Sequence, residues 1–149
     1  MNFFSELFRG FDPELIAQLF LSTSLGLLVG IEREHLGKAA GKRTFALVAL
    51  GATLYTLLSQ FGFQGHQGPT SFDPSRIVSQ IVVGMGFLGA GLIVFDENRV
   101  KGLTTAAALW TVAAIGATVG LRFYALAIVA TLITFFILAG LRRLPRNQQ

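Results

Sequence analysis

Cysteine is missing from all 149 residues, so disulfides, thiolate metal sites and cysteine nucleophiles are excluded. Charge is scarce as well. Charged residues make up 13% of the chain, against roughly 25% in a soluble domain, and 52% of the chain is hydrophobic with a mean hydropathy of +0.62. Too little polar surface is present to cover a water-facing exterior. Histidine occurs twice, at His35 and His66, on what the charge pattern below makes opposite sides of a membrane, so the two cannot share a metal. No Ser/His/Asp set falls on one side in rigid positions either, which argues against an enzyme; no cofactor is expected.

The stretches without charge are long. Leu15 to Ile31, Phe45 to Phe72, Ile77 to Phe95, Leu103 to Leu121 and Phe123 to Leu141 contain no Asp, Glu, Lys or Arg. Crossing about 30 Å of hydrocarbon takes about 17 to 25 helical residues. The fold class is therefore an all-α membrane protein, a five-transmembrane-helix bundle. Residues 1–149 form one transmembrane domain with spans at about 13–31, 44–62, 75–95, 104–121 and 123–141, and no soluble domain is expected. Acidic residues precede the first run and the basic cluster follows it, the reverse of a cleaved signal peptide, so the first span is read as permanent.

Helix starts are marked locally. Asp12-Pro13 and Asp73-Pro74 each place an N-capping Asp before a Pro, and Thr104 is the candidate cap of the fourth span. Residues 96–102 read as a tight polar turn. Counting basic residues in the short loops gives nine on one side and three on the other, so the N-terminus is expected outside and the C-terminus in the cytoplasm. The net charge of +4 then needs no nucleic acid, because basic turns at anionic inner-leaflet lipid account for it. GKRTFALVALGAT (41–53) and GLTTAAALWTVAAIGAT (102–118) hint at a parallel repeat relating helix pairs 1/2 and 3/4.

Three sets of residues carry the functional expectations. Glu32, Arg33, Arg43, Thr44, Lys101, Thr104 and Thr105 all fall at inner helix ends and form a candidate recognition ring, with charges snorkelling to the interface as the plain alternative. Asp73 and Arg76 are read as a structural pair on the outer side. Gly26 with Gly30, Gly86 with Ala90, and Gly116 with Gly120 are small residues four apart, which in lipid favour close helix packing within a chain or between copies in a homo-oligomer. GMGFLGAG (84–91) matches G-x-G-x-x-G formally, but inside an apolar span it is no dinucleotide site. Its Gly84, Gly86, Gly89 and Gly91 instead point to packing or to a local break in the third helix.

GLLVGIERE (26–34), GKRTFALVALGA (41–52), DPSRIVSQIVVGMGFLGAGLI (73–93) and VKGLTTAAALWTVAAIGATVGL (100–121) together resemble the membrane domain of the MgtC/SapB family of bacterial inner-membrane proteins. The resemblance covers most of residues 15 to 140. It implies a five-span protein linked to growth at low magnesium and, in virulence-associated members, to intracellular survival and restraint of the membrane ATP synthase as an integral-membrane partner. Those members act as regulators rather than magnesium transporters. Signature-like positions include Gly41, Gly102 and Trp110, and some virulence members carry Asn where Thr104 stands. The virulence members also continue into a soluble C-terminal domain, whereas this sequence ends at Gln149. The reading favours a regulator of membrane energetics or ion homeostasis. An ion carrier and a purely structural oligomer are the alternatives.

Overall fold

The computed structural model describes residues 12–62, 73–96 and 99–141, and His66, Arg9, Glu97, Arg142, Arg143 and Arg146 lie outside them. Among the described residues five helices run in the order α1 (Pro13–His35), α2 (Lys42–Phe61), α3 (Ser75–Leu92), α4 (Leu103–Gly120) and α5 (Tyr124–Gly140). Between α3 and α4 stand two short strands, β1 (Val94–Asp96) and β2 (Arg99–Lys101), paired antiparallel with Phe95 opposite Val100. Helices α1 to α4 are long and apolar enough to cross a membrane; α5 is equally apolar with 17 residues. The architecture is an all-α membrane bundle.

Helix α1 ends four residues later than the apolar run alone predicts. Gly37 at φ +60° lets its own N–H reach the Glu34 carbonyl (2.9 Å) and the Lys38 N–H reach that of Arg33 (3.1 Å), a Schellman closure that keeps Glu32 and Arg33 helical. The Glu34 carboxylate then caps the next helix. It accepts from the Lys42 N–H at 3.1 Å and pairs with the Lys42 ammonium at 2.8 Å, so α2 begins at Lys42 rather than Thr44. At the other bundle end Asp12 caps α1 by accepting from the Glu14 N–H, as the sequence predicts.

The core lies where α1, α2 and α4 meet. Phe45, Val29, Val112 and Val119 are fully enclosed, and the glycines let the backbones close in. A Cβ on Gly116 would stand 2.4 Å from the Ala49 carbonyl oxygen, one on Gly26 2.6 Å from that of Phe45, one on Gly30 2.6 Å from the Lys42 Cα, and one on Gly120 2.7 Å from Thr56. Thr53 fastens the α2–α4 contact by donating to the Gly116 carbonyl at 2.7 Å. Small residues here replace the hydrophobic force that is absent between helices in lipid.

Three sequence expectations are corrected. The glycine-rich segment of α3 shows no break, because the helix is continuous through Leu92; glycine permits bending, but lipid offers no partner for a freed carbonyl. The turn at 96–102 is a hairpin that shortens α3 by three residues. Thr104 does not cap α4, since Gly102 occupies that position at φ +92° and Thr104 stands exposed inside the first turn. Gly41, the corresponding N-cap of α2, has φ −122°, so the two repeat-like openings are conformationally different.

Candidate functional site: a buried charge pair at one bundle end

One end of the bundle gathers the last turns of α1 and α3 with the first turns of α2 and α4. Here the ring expected from sequence divides in two. Arg33 is 4% exposed, and its Nη2 donates to the Thr105 hydroxyl of α4 at 3.0 Å; Thr105 is itself buried. Arg43, Thr44, Lys101 and Thr104 are exposed. Lys101 is engaged by Asp96 across the hairpin, whereas Arg43 makes no ion pair among the described residues. The buried members are therefore Arg33 and Thr105, with Glu32 partly buried beside Arg33.

The pair is imperfect for a geometric reason. Consecutive residues on a helix do not face each other, so the Glu32 carboxylate, 9% exposed, meets Arg33 Nη1 only at 3.5 Å. Glu32 Oε1 and Arg33 Nε are both buried without a hydrogen-bond partner among the described residues. A guanidinium has five donors and a carboxylate about four acceptor sites, and each left unmet in a low-dielectric setting carries a desolvation cost of about 1–3 kcal/mol or more. Arg33 at least complements the negative end of the α1 dipole; Glu32 opposes it. A carboxylate so placed gains from any added donor or cation. The arrangement can recognise a hydrogen-bonding group or a positive charge, and Arg43 and Thr104 are exposed on the first turns of α2 and α4 at the same bundle end.

The opposite end holds a second polar network that the sequence did not reveal. Tyr124 donates to Glu14 Oε1 at 2.8 Å and accepts from Gln18 Nε2 at 2.9 Å, and Arg122 Nη2 reaches Glu14 Oε2 at 3.2 Å. These bonds tie α5 to α1. Tyr124 is thus a bridging residue rather than a simple packing aromatic. The only local signal was Gln18, a lone amide one turn beyond Glu14 in an apolar run. Also at this end, the Asp73 carboxylate accepts from the Ser75 N–H at 2.9 Å, and hydrogen bonding from Ser75, with Arg76 nearby, holds its carboxyl below the usual carboxylate range. Asp73 and Arg76 meet across the first turn through the backbone, the Arg76 N–H donating to the Asp73 carbonyl at 3.2 Å, with no side-chain ion pair between them among the described residues. Pro74 rather than Asp73 stands at the N-cap position of α3.

The glycine sets also separate. Gly26, Gly30, Gly116 and Gly120 pack within the chain, whereas a Cβ on Gly84, Gly86 or Gly91 would meet open space and one on Gly89 only the Ala106 methyl at 3.7 Å. A groove of about 970 Å³ runs between α2 and α3, past Gly51 and Gly84.

Lipid-length helices, glycine-mediated packing and a buried charge pair at a bundle end define a multi-helix integral membrane protein. Comparison then fixes the family: the MgtC family model matches residues 19–147, and the chain belongs to the MgtC family. It is 45% identical over 119 residues to Protein MgtC of Salmonella typhimurium, covering 79% of this chain and 48% of that protein. It is 40% identical over 130 residues to "Putative magnesium transporter YhiD" of Escherichia coli K12 (84% and 59%), and 38% identical over 141 residues to Protein SrpB of Synechococcus elongatus (87% and 75%). The chain thus spans about half to three-fifths of the length of MgtC and YhiD. No solved structure matches it.

Proposed function

We propose that this protein is a multi-pass bacterial inner-membrane regulator, without enzymatic activity, that acts on an integral-membrane partner in adaptation to low magnesium. In this reading the N-terminus is outside and the Glu32–Arg33 end faces the cytoplasm, where its basic turns are retained. The observation that carries it is the Glu32 oxygen enclosed at this bundle end without a donor among the described residues, at the end where Arg43 and Thr104 stand exposed on the first turns of α2 and α4. A partner's basic or amide side chain entering there would complete the charge pair, and the exposed rim would select it. The link to magnesium is carried over from the name of one relative, "Putative magnesium transporter YhiD".

Magnesium transport is the second reading, favoured by the name of the YhiD relative. Magnesium flux into liposomes holding the purified protein separates the two. The regulator reading expects the flux of empty vesicles, together with a low-magnesium growth defect in cells carrying Arg43→Ala or Thr104→Ala at normal membrane levels of the protein. Flux that Glu32→Gln abolishes would transfer the assignment to a carrier.

A further inference from the structure

Helix α3 is packed unlike its neighbours: Met85 is its one buried residue. Between it and α2 lies the groove of about 970 Å³, within the range of ligand clefts, with walls that are mostly apolar. Its chemistry is graded along its length. Gly51, Gly84 and Leu88 line the body, and Arg76, Gln80 and Tyr55 line the end near the start of α3. The Arg76 guanidinium, the Gln80 amide and the Tyr55 hydroxyl make no hydrogen bond or ion pair among the described residues. Asp73, the nearest acid in sequence, spends its carboxylate on the Ser75 N–H. Three polar groups without a partner among the described residues, one of them cationic, thus line one end of a mostly apolar slot that Thr44 and Ser79 also border.

We infer that this groove is a binding site for one anionic phospholipid, an acyl chain lying along Gly51 and Gly84 and the phosphate held by Arg76. Charge complementarity selects this occupant over a second copy of the chain. A phosphodiester satisfies the guanidinium, and the ester oxygens just below it lie at the depth of Gln80 and Tyr55, about one helical turn further into the membrane. The planar guanidinium fork matches phosphate oxygens bidentately, which a neutral polar side chain cannot do. The missing side chains at Gly51 and Gly84 give the acyl chain its room, since a Cβ at either would touch nothing.

The test is native mass spectrometry of the detergent-purified protein titrated with phosphatidylglycerol or phosphatidylcholine. The wild type is expected to retain one phosphatidylglycerol in preference to phosphatidylcholine. Arg76→Gln should lower the affinity for phosphatidylglycerol about fivefold, roughly what one arginine contributes near an anionic surface, and leave phosphatidylcholine unchanged. Gly84→Leu should displace both lipids while helicity by circular dichroism stays at the wild-type level. Equal retention of the two lipids by the wild type, or unchanged phosphatidylglycerol binding in both variants, would overturn the assignment. So would a loss of dimers rather than of lipid in Gly84→Leu, which would make the groove a contact between copies. Should Gly84→Leu lose its helicity, Arg76→Gln and Gln80→Leu decide the matter by the same titration.

Discussion

Helices α3 and α4 have the same length, 18 residues, and both are apolar and glycine-bearing, yet over half of α4 is buried inside the bundle against 6% of α3. The difference lies in where the glycines fall. Those of α4 meet a neighbour's backbone or side chain at distances no Cβ tolerates; three of the four in α3 meet nothing. A small-residue pattern therefore marks a surface able to be approached closely, and only the neighbour decides whether it is. In α4 the approach is made by α2. In α3 it is left for whatever the membrane supplies.

Substitutions sharpen the contrast, beginning with the glycine that joins the two helices. Gly102→Ala would force a side chain into the left-handed region with its Cβ 1.9 Å from the Leu92 carbonyl oxygen, so a loss of about 3 kcal/mol or more, or no folded protein, is expected in thermal unfolding in detergent. Gly116→Ala should cost about 1–3 kcal/mol by the same measurement, because the Ala49 backbone must retreat. Thr105→Val keeps the shape but strips Arg33 of its α4 acceptor, for a loss of about 1–2 kcal/mol. Gly84→Ala should be neutral or stabilise by up to about 1 kcal/mol, the intrinsic helical preference for alanine. If Gly84→Ala were as costly as Gly116→Ala, the contrast between the helices would fail.

Much of the fold was legible in the sequence because lipid imposes one rule on every span: satisfy the backbone internally and keep charge out. The charge-free runs located the helices, and Asp12 and Asp73 revealed two starts. What stayed hidden was chosen by tertiary partners. A charge at the edge of an apolar run reads as an interface residue, and nothing near Arg33 announces that Thr105, 72 positions on, will bury it. Gly37 was the overlooked clue that α1 runs on past Ile31. The α3 glycines misled in the other direction, since their flexibility goes unused in a continuous helix. The Glu14–Tyr124–Gln18 network joins residues more than a hundred positions apart, beyond the reach of local pattern. The Glu34 cap on α2 bridges only eight residues but depends on the turn between them.

The packing contrast rests on which faces meet acyl chains, and a photoactivated lipid-soluble carbene probe reads that directly in proteoliposomes, with labelled peptides counted by mass spectrometry. Dense labelling of α3 at Val83 and Phe87, with Leu109 and Val112 of α4 nearly untouched, is the predicted pattern. Equal labelling of the two helices, or an α3 as protected as α4, would contradict it.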